Sequence, residues 1–218
     1  MIRMILGAPP AHYATRVRDR GRAFLRRRPW PSHNQWKNHN YWREVHDDLY
    51  QQHNGICAYC ASWTPRRRIS PSDPDNTSVD HFIPKSAVPN QAYEWTNFRL
   101  CRARLNHRKD IFRDVLDPCT IADDWFELDF LTFRIRPASG LSPGISTRVR
   151  ATIARFQLNI DNDYVNERIA VVRDYSLDKV QLVQVEAKYP FIAQQIRVQA
   201  FDQNFKPRMQ QYFSTGRP

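Results

Sequence analysis

The chain has 218 residues, of which 41% are hydrophobic and 12% aromatic, enough to bury a sizeable core. Its 33 Lys and Arg residues outnumber 22 Asp and Glu residues, which gives a formal net charge of +11. Such a balance suits a polyanionic partner, most often nucleic acid. No apolar run approaches the roughly 18–20 residues that cross a bilayer, so we expect a cytoplasmic protein without membrane association.

Residues 1–54 are predicted to form a basic, helical N-terminal arm. Residues 1–30 hold eight arginines against one acid, most of them in TRVRDRGRAFLRRRP. We interpret this stretch as an arm that follows backbone phosphates, the alternative being a solvated helix face. Residues 40–53 then predict a helix, which Asn54 and Gly55 end. The apolar side chains at helical spacing in that stretch are Tyr41, Val45, Leu49 and Tyr50.

The middle of the chain predicts a strand–loop–strand–helix unit. Residues 64–78, TPRRRISPSDPDNTS, contain three prolines and many turn formers, which favours a long mobile loop. Residues 79–84 and 97–100 are predicted strands. Residues 102–112, RARLNHRKDIF, are predicted to be helical.

Residues 121–218 are predicted to form a C-terminal hairpin followed by helices. Alternation in WFELDFLTFRIRP, residues 125–137, indicates the hairpin. Pro190 is expected to start or kink a helix, and the tail from Phe205 onward is expected to be loose. Three apolar stripes predict the helices: Ile145, Val149, Ile153, Phe156 and Ile160; Val165, Ile169 and Val172; and Leu182, Val185, Tyr189, Ile192 and Ile196.

The stretch SVDHFIPKS, residues 78–86, places an acid beside a histidine at the end of an apolar run. Burial of two ionisable groups is costly unless they are paired or hold a metal. Folding the predicted unit back on itself would bring Asp80, His81 and Asn106 to one cleft. Asp80 and Asn106 offer the oxygen ligands that a hard divalent cation prefers. His81, with an ordinary pKa of about 6.5, is left as the general base that activates water for phosphodiester hydrolysis.

The segments VDHFIP, NFRL and LNHRK together resemble the HNH nuclease family. The resemblance implies an α+β protein in which a ββα-metal core, residues 55–120, is embedded in helices beside an extra C-terminal β-hairpin. It implies an endonuclease that uses Mg²⁺ or Mn²⁺ and leaves 5′-phosphate and 3′-hydroxyl ends. By position, it assigns the base to His81, metal binding to Asp80 and Asn106, a loop-holding role to Asn97 and a phosphate contact to Lys109.

Basic residues around this motif are expected to contact nucleic acid. Asn106 and His107 are adjacent on a helix and cannot point the same way, and the spacing from Asn97 favours Asn106 as the metal ligand. The five histidines outside the motif receive no role. The expected nucleic-acid contacts are Lys85, Arg102, Arg104, His107 and Arg108.

Many HNH proteins also carry a structural zinc between two CxxC pairs. Here Cys57 and Cys60 supply the first pair, but Cys101 lies one residue out of register for the second. Cys57, Cys60 and Cys101, with Cys119 as a fourth, remain candidate zinc ligands. We favour a zinc-free variant in which the cysteines pack as small buried side chains.

The longer pattern AYEWTNFRL with LNHRKDIFRDVLDPC is similar to a bacterial HNH subgroup, the HNH subunits of Septu-type and retron-linked anti-phage systems. That similarity implies a defence role beside an ATPase partner. DNA is the expected substrate. An RNA-cleaving effector and a non-catalytic nucleic-acid-binding subunit remain as alternatives.

Overall fold

The computed structural model describes residues 1–66, 73 and 76–215. These residues form an α+β structure of helices and two small antiparallel sheets, the class that the sequence predicts. No helix in the described part of the chain has the length and apolar character needed to cross a membrane.

The chain divides into two compact units. The N-terminal unit comprises Met4–Tyr59 and Trp63–Cys119, and the C-terminal unit comprises Met1–Arg3, Cys60–Ser62 and Thr120–Pro218. The division at residues 54 and 120 into an arm, a nuclease core and a C-terminal region stays a prediction.

The arginine-rich N-terminal segment is helical. A π-helical stretch, Ala14–Arg18, continues into α1, Asp19–Arg27. Val17 and Phe24 are buried, and the arginines of the stretch are exposed or half-buried. Gly21 permits close packing, because a Cβ there would lie 2.1 Å from the ring of Tyr93.

Two further helical segments complete this part of the N-terminal unit. Helix α2, His33–Asn38, begins at a capping box formed by Ser32 and Gln35. The predicted helix at residues 40–53 is a 3₁₀ turn, Tyr41–Val45, followed by α3, His46–Gln52. It ends as expected, with left-handed backbone at Asn54 and Gly55, where φ is 51° and 71°.

The predicted strand–loop–strand–helix unit is present. Strand β1, Thr77–His81, pairs antiparallel with β2, Phe98–Arg102, and helix α4, Ala103–Lys109, follows at once. Strand β1 ends earlier than predicted, because the backbone of Ile83 bonds with the side chain of Asn97 instead of a neighbouring strand. The loop predicted at 64–78 lies largely outside the described residues, at 67–72 and 74–75.

The C-terminal unit begins with the predicted hairpin. Strand β3, Phe126–Asp129, pairs antiparallel with β4, Arg134–Pro137. The helices that follow include α8, which starts at Pro190 as expected. The helices that follow the hairpin are α5 (Pro143–Phe156), α6 (Asn162–Ser176), α7 (Leu182–Lys188), α8 (Pro190–Val198), α9 (Phe201–Asn204) and α10 (Lys206–Thr215).

Three expectations for this unit are wrong in detail. Ile160 is 75% exposed, because α5 ends four residues earlier, at Phe156. Helix α6 buries the stripe that includes Tyr164, Arg168 and Val172, one residue out of phase with the predicted Val165 and Ile169. The tail is helical through Thr215 and packs against α6, burying Met209; residues 216–218 lie outside the description.

Candidate active site

A cleft of about 720 Å³ in the N-terminal unit lies over the end of β1. One wall comes from β1 and α4, and another comes from the 3₁₀ turn Tyr41–Val45 and the start of α3. Asp80, His81 and Asn106 all line this cleft. Its other polar and aromatic lining residues include Trp42, Arg43, His46, Asp47, Ser78, Lys85, His107 and Asp110.

The Asp80 carboxylate is 3% exposed and is held by two donors. The hydroxyl of Tyr59 donates to Oδ2, and Nζ of Lys109 lies 3.2 Å from Oδ1. Burial raises the pKa of Asp80, while the nearby ammonium of Lys109 opposes that rise. An ionised carboxylate still has lone pairs for a cation beyond these two hydrogen bonds.

Lys109, for which the motif implies a phosphate contact, is buried. Its side chain is 0% exposed, and its ammonium donates to the backbone carbonyl of His81 at 2.8 Å as well as to Asp80. The helical spacing places it on the same face as Leu105, which is also 0% exposed. In this arrangement the ammonium of Lys109 is engaged at the end of β1, and its contact with a phosphate stays a prediction.

His81 is oriented by a backbone acceptor. Its Nε2 lies 2.9 Å from the carbonyl oxygen of Ala92. Because a carbonyl only accepts, Nε2 carries the proton and Nδ1 is the unprotonated nitrogen. Edge-to-face rings also hold the imidazole, with centroids 4.6 Å away at Trp42 and 5.5 Å away at Phe98. Burial lowers the pKa of His81 to about 3, and the charge of Lys85 adds to that effect, so the ring is neutral at pH 7.

Asn97 closes the loop between the two strands. Its Oδ1 accepts from the backbone nitrogen of Ile83 at 2.6 Å. Its Nδ2 donates to the carbonyls of Ile83 and Gln91, each at 3.0 Å. The side chain is 3% exposed and lies outside the cleft, so its contribution is to hold the loop that leads from β1 to Ala92.

Asn106 uses its amide nitrogen to bond with β1. Nδ2 donates to Oγ of Ser78 at 3.2 Å and to the carbonyl of Val79 at 3.4 Å. This leaves the amide oxygen without a hydrogen bond from the described residues. A carboxylate and an amide oxygen are the kinds of ligand that a hard cation prefers, and a cation site on Asp80 and Asn106 stays a prediction. No group of three or more His, Cys, Asp or Glu residues suited to a metal occurs among the residues described.

The expected nucleic-acid contacts fall into two groups. Lys85 and His107 line the cleft. Arg102 is 5% exposed and bonds with Oγ1 of Thr64 at 2.9 Å and the carbonyl of Trp63 at 3.1 Å, and its phosphate contact stays a prediction. Arg104 and Arg108 are half-buried and each has a partner within the protein.

The cysteines Cys57, Cys60 and Cys101 are all buried. The backbone nitrogen of Arg102 lies 3.4 Å from Sγ of Cys57, and Oγ of Ser78 lies 3.5 Å from Sγ of Cys101. A zinc site on these residues stays a prediction.

Sequence reasoning missed Tyr59, Arg43 and His46. Tyr59 lies inside the CAYC segment, in which the two cysteines are the residues typical of a metal site. Trp42 and His46 are four residues apart, which would place them on one face of a helix. That spacing was a usable signal, but only the fold shows that this face borders Asp80 and His81.

No family model matches the chain, and no curated protein matches it.

Proposed function

We propose that this protein is a metal-dependent endonuclease of the HNH type, which hydrolyses phosphodiester bonds in nucleic acid, with DNA as the expected substrate. The observation that carries the proposal is that Asp80, His81 and Asn106 line one cleft. They do so although a loop, a second strand and the first three residues of a helix separate His81 from Asn106. The order β1, β2, α4 agrees with the ββα layout of that family.

The neutral form of His81 and the orientation of its ring are what support its role as the general base. A neutral imidazole with Nε2 bonded to Ala92 offers the Nδ1 lone pair to the proton of an attacking water. The negative charge of a phosphate bound in the cleft would favour the protonated ring and raise the pKa of His81 from its low value. Trp42 and Phe98 restrict rotation of the ring, so the base is held in one orientation.

Asp80 and Asn106 would hold the divalent cation through a carboxylate and an amide oxygen. When bound, the cation would neutralise charge that develops on the phosphate and on the leaving oxygen. Tyr59 and Lys109 orient the carboxylate of Asp80, as hydrogen-bonded outer residues do in metal sites.

A second candidate is a nucleic-acid-binding subunit without catalytic activity. The ion pair between Lys109 and Asp80 favours it, because the ammonium already supplies one positive charge to the carboxylate. The formal charge of +11 suits either function.

Cleavage assays on purified protein separate the two candidates. Plasmid and labelled oligonucleotides, DNA and RNA, are incubated with Mg²⁺ or Mn²⁺ and with EDTA. We expect metal-dependent cleavage that falls about 10²–10⁴-fold in His81→Ala, with binding retained. His33→Ala, which changes an exposed histidine outside the cleft, is the matched control and should cleave like the wild type.

Cleavage that survives His81→Ala unchanged would exclude His81 as the base. Binding without cleavage under every metal condition would favour the non-catalytic subunit. Cleavage confined to RNA would replace DNA as the substrate and leave the roles of the residues intact. A defence role beside an ATPase partner belongs to the same proposal and would be tested by co-purification.

A further inference from the structure

The cleft contains an arginine whose side chain has no polar partner among the described residues. Arg43 lines the cleft and is exposed. Its guanidinium makes no hydrogen bond or ion pair with any of the residues described. Lys109, the lysine of the motif, is instead buried and forms an ion pair with Asp80. The cleft thus offers the guanidinium of Arg43 to a ligand, whereas the ammonium of Lys109 is paired with Asp80.

The acidic groups around Arg43 are largely neutralised by other partners. Asp47 accepts from Nε of Arg66 at 2.8 Å, and Asp80 pairs with Lys109. Asp110 is exposed at the end of α4. Lys85 adds a second positive charge to the lining. The charge left for a ligand is therefore positive, which suits an anion.

The backbone that carries Arg43 is held against the candidate base. Arg43 lies in the 3₁₀ turn Tyr41–Val45, directly after Trp42. The Trp42 ring packs edge-to-face on His81, with 4.6 Å between centroids, and Nζ of Lys85 lies 5.4 Å from the Trp42 centroid. Val45 is 0% exposed and anchors the other end of the turn. An anion held by Arg43 would thus lie in the same cleft as His81.

We propose that Arg43 is a phosphate-binding residue, which contacts the backbone of the nucleic acid held in this cleft. The planar guanidinium can donate two parallel hydrogen bonds to phosphate oxygens, which a lysine ammonium cannot. Its part in cleavage rests on the proposed endonuclease function, whereas its part in binding does not.

The test measures binding to a labelled DNA duplex in the His81→Ala background, where no cleavage interferes. Fluorescence anisotropy gives Kd at several salt concentrations for Arg43→Gln and for Arg208→Gln. Arg208 is an exposed arginine of the C-terminal unit and serves as the matched control. We expect Arg43→Gln to weaken binding about tenfold. It should also reduce the slope of log K against log salt by about 1.

Arg43→Lys sharpens the test, because it keeps the positive charge and removes the planar guanidinium. It should recover the salt slope of the parent. Equal salt slopes and affinities for Arg43→Gln and Arg208→Gln would overturn the proposal. A salt slope of Arg43→Lys that stays below that of the parent would also overturn it. In the wild-type background, Arg43→Gln should lower kcat/KM at least tenfold. If the wild type binds but never cleaves, a changed slope still supports Arg43 while the endonuclease function fails.

Discussion

The two units of this protein bury polar side chains in different ways. In the N-terminal unit, the buried groups Asp80, His81 and Lys109 contact one another, and two of them also border a cleft. In the C-terminal unit, Arg168 donates to the backbone carbonyls of Phe133 and Leu158, each at 2.7 Å.

This contrast shows that a buried charge alone does not mark a functional site. Arg168 is 6% exposed, and burial lowers its pKa to about 10, yet its guanidinium is used by backbone carbonyls of its own unit. Asp80 is also buried, but its partners are side chains, and it retains capacity for a ligand on the cleft side. The useful distinction is the partner of the buried group. Arg168 bonds with backbone carbonyls, whereas Asp80 bonds with ionisable side chains beside a cleft.

The largest effect on stability is expected from Lys109→Met. Removal of the ammonium leaves the buried Asp80 carboxylate without its cation, which should cost about 3–5 kcal/mol in the free energy of unfolding. Urea unfolding followed by tryptophan fluorescence would report it, since Trp125 is the one tryptophan of six outside the N-terminal unit.

A divalent cation should restore part of the stability of Lys109→Met if Asp80 binds metal. The matched control is Asp80→Asn/Lys109→Met, which should lose less stability and should not respond to Mg²⁺ or Mn²⁺. A Lys109→Met protein as stable as the wild type would show that the ion pair contributes little.

A smaller effect is expected from Arg168→Met. Two buried carbonyls lose their donor, while an unpaired buried charge is also removed, so the cost should be about 1–3 kcal/mol. Divalent cations should not restore stability, and if the protein cleaves nucleic acid as proposed, the cleavage rate per folded molecule should be unchanged. Circular dichroism and the nuclease assay measure the two quantities. A fall in the cleavage rate per folded molecule would contradict the contrast between a structural Arg168 and the buried groups that border the cleft.

An effect of similar size, which appears only at low pH, is expected from His53. All seven histidines lie in the N-terminal unit. Burial lowers the pKa of His53 from 6.5 to about 4. As pH falls below 6.5, His53 takes up a proton in the unfolded chain before it does so in the folded protein. The contribution of neutral His53 to the free energy of unfolding is therefore complete above pH 6.5 and is lost towards pH 4. At pH 5 the loss should be about 2 kcal/mol.

His53→Gln should therefore flatten the pH dependence of unfolding between pH 7 and 5. His33→Gln, which changes an exposed histidine, should leave it unchanged. Identical profiles for the two variants would exclude His53 as a source of acid sensitivity.

Local pattern made much of the fold predictable. Alternation located the β3–β4 hairpin, and Pro190 starts a helix because proline suits a first turn. The phase of α6 could not be predicted, because Arg168 occupies a buried position that apolar spacing assigns to a hydrophobic residue. The helical tail was also missed, since the packing of α10 against α6 involves residues far apart in the chain.

The sequence by itself determined which chemical groups are present near the candidate site, and the order of strand, strand and helix that carries them. Only the tertiary structure decided which nitrogen of His81 is protonated, that Lys109 is sealed against Asp80, and that Arg43 borders the cleft. Each of those outcomes depends on contacts between segments distant in the chain. Such contacts follow from how the core packs, and spacing along the sequence does not encode them.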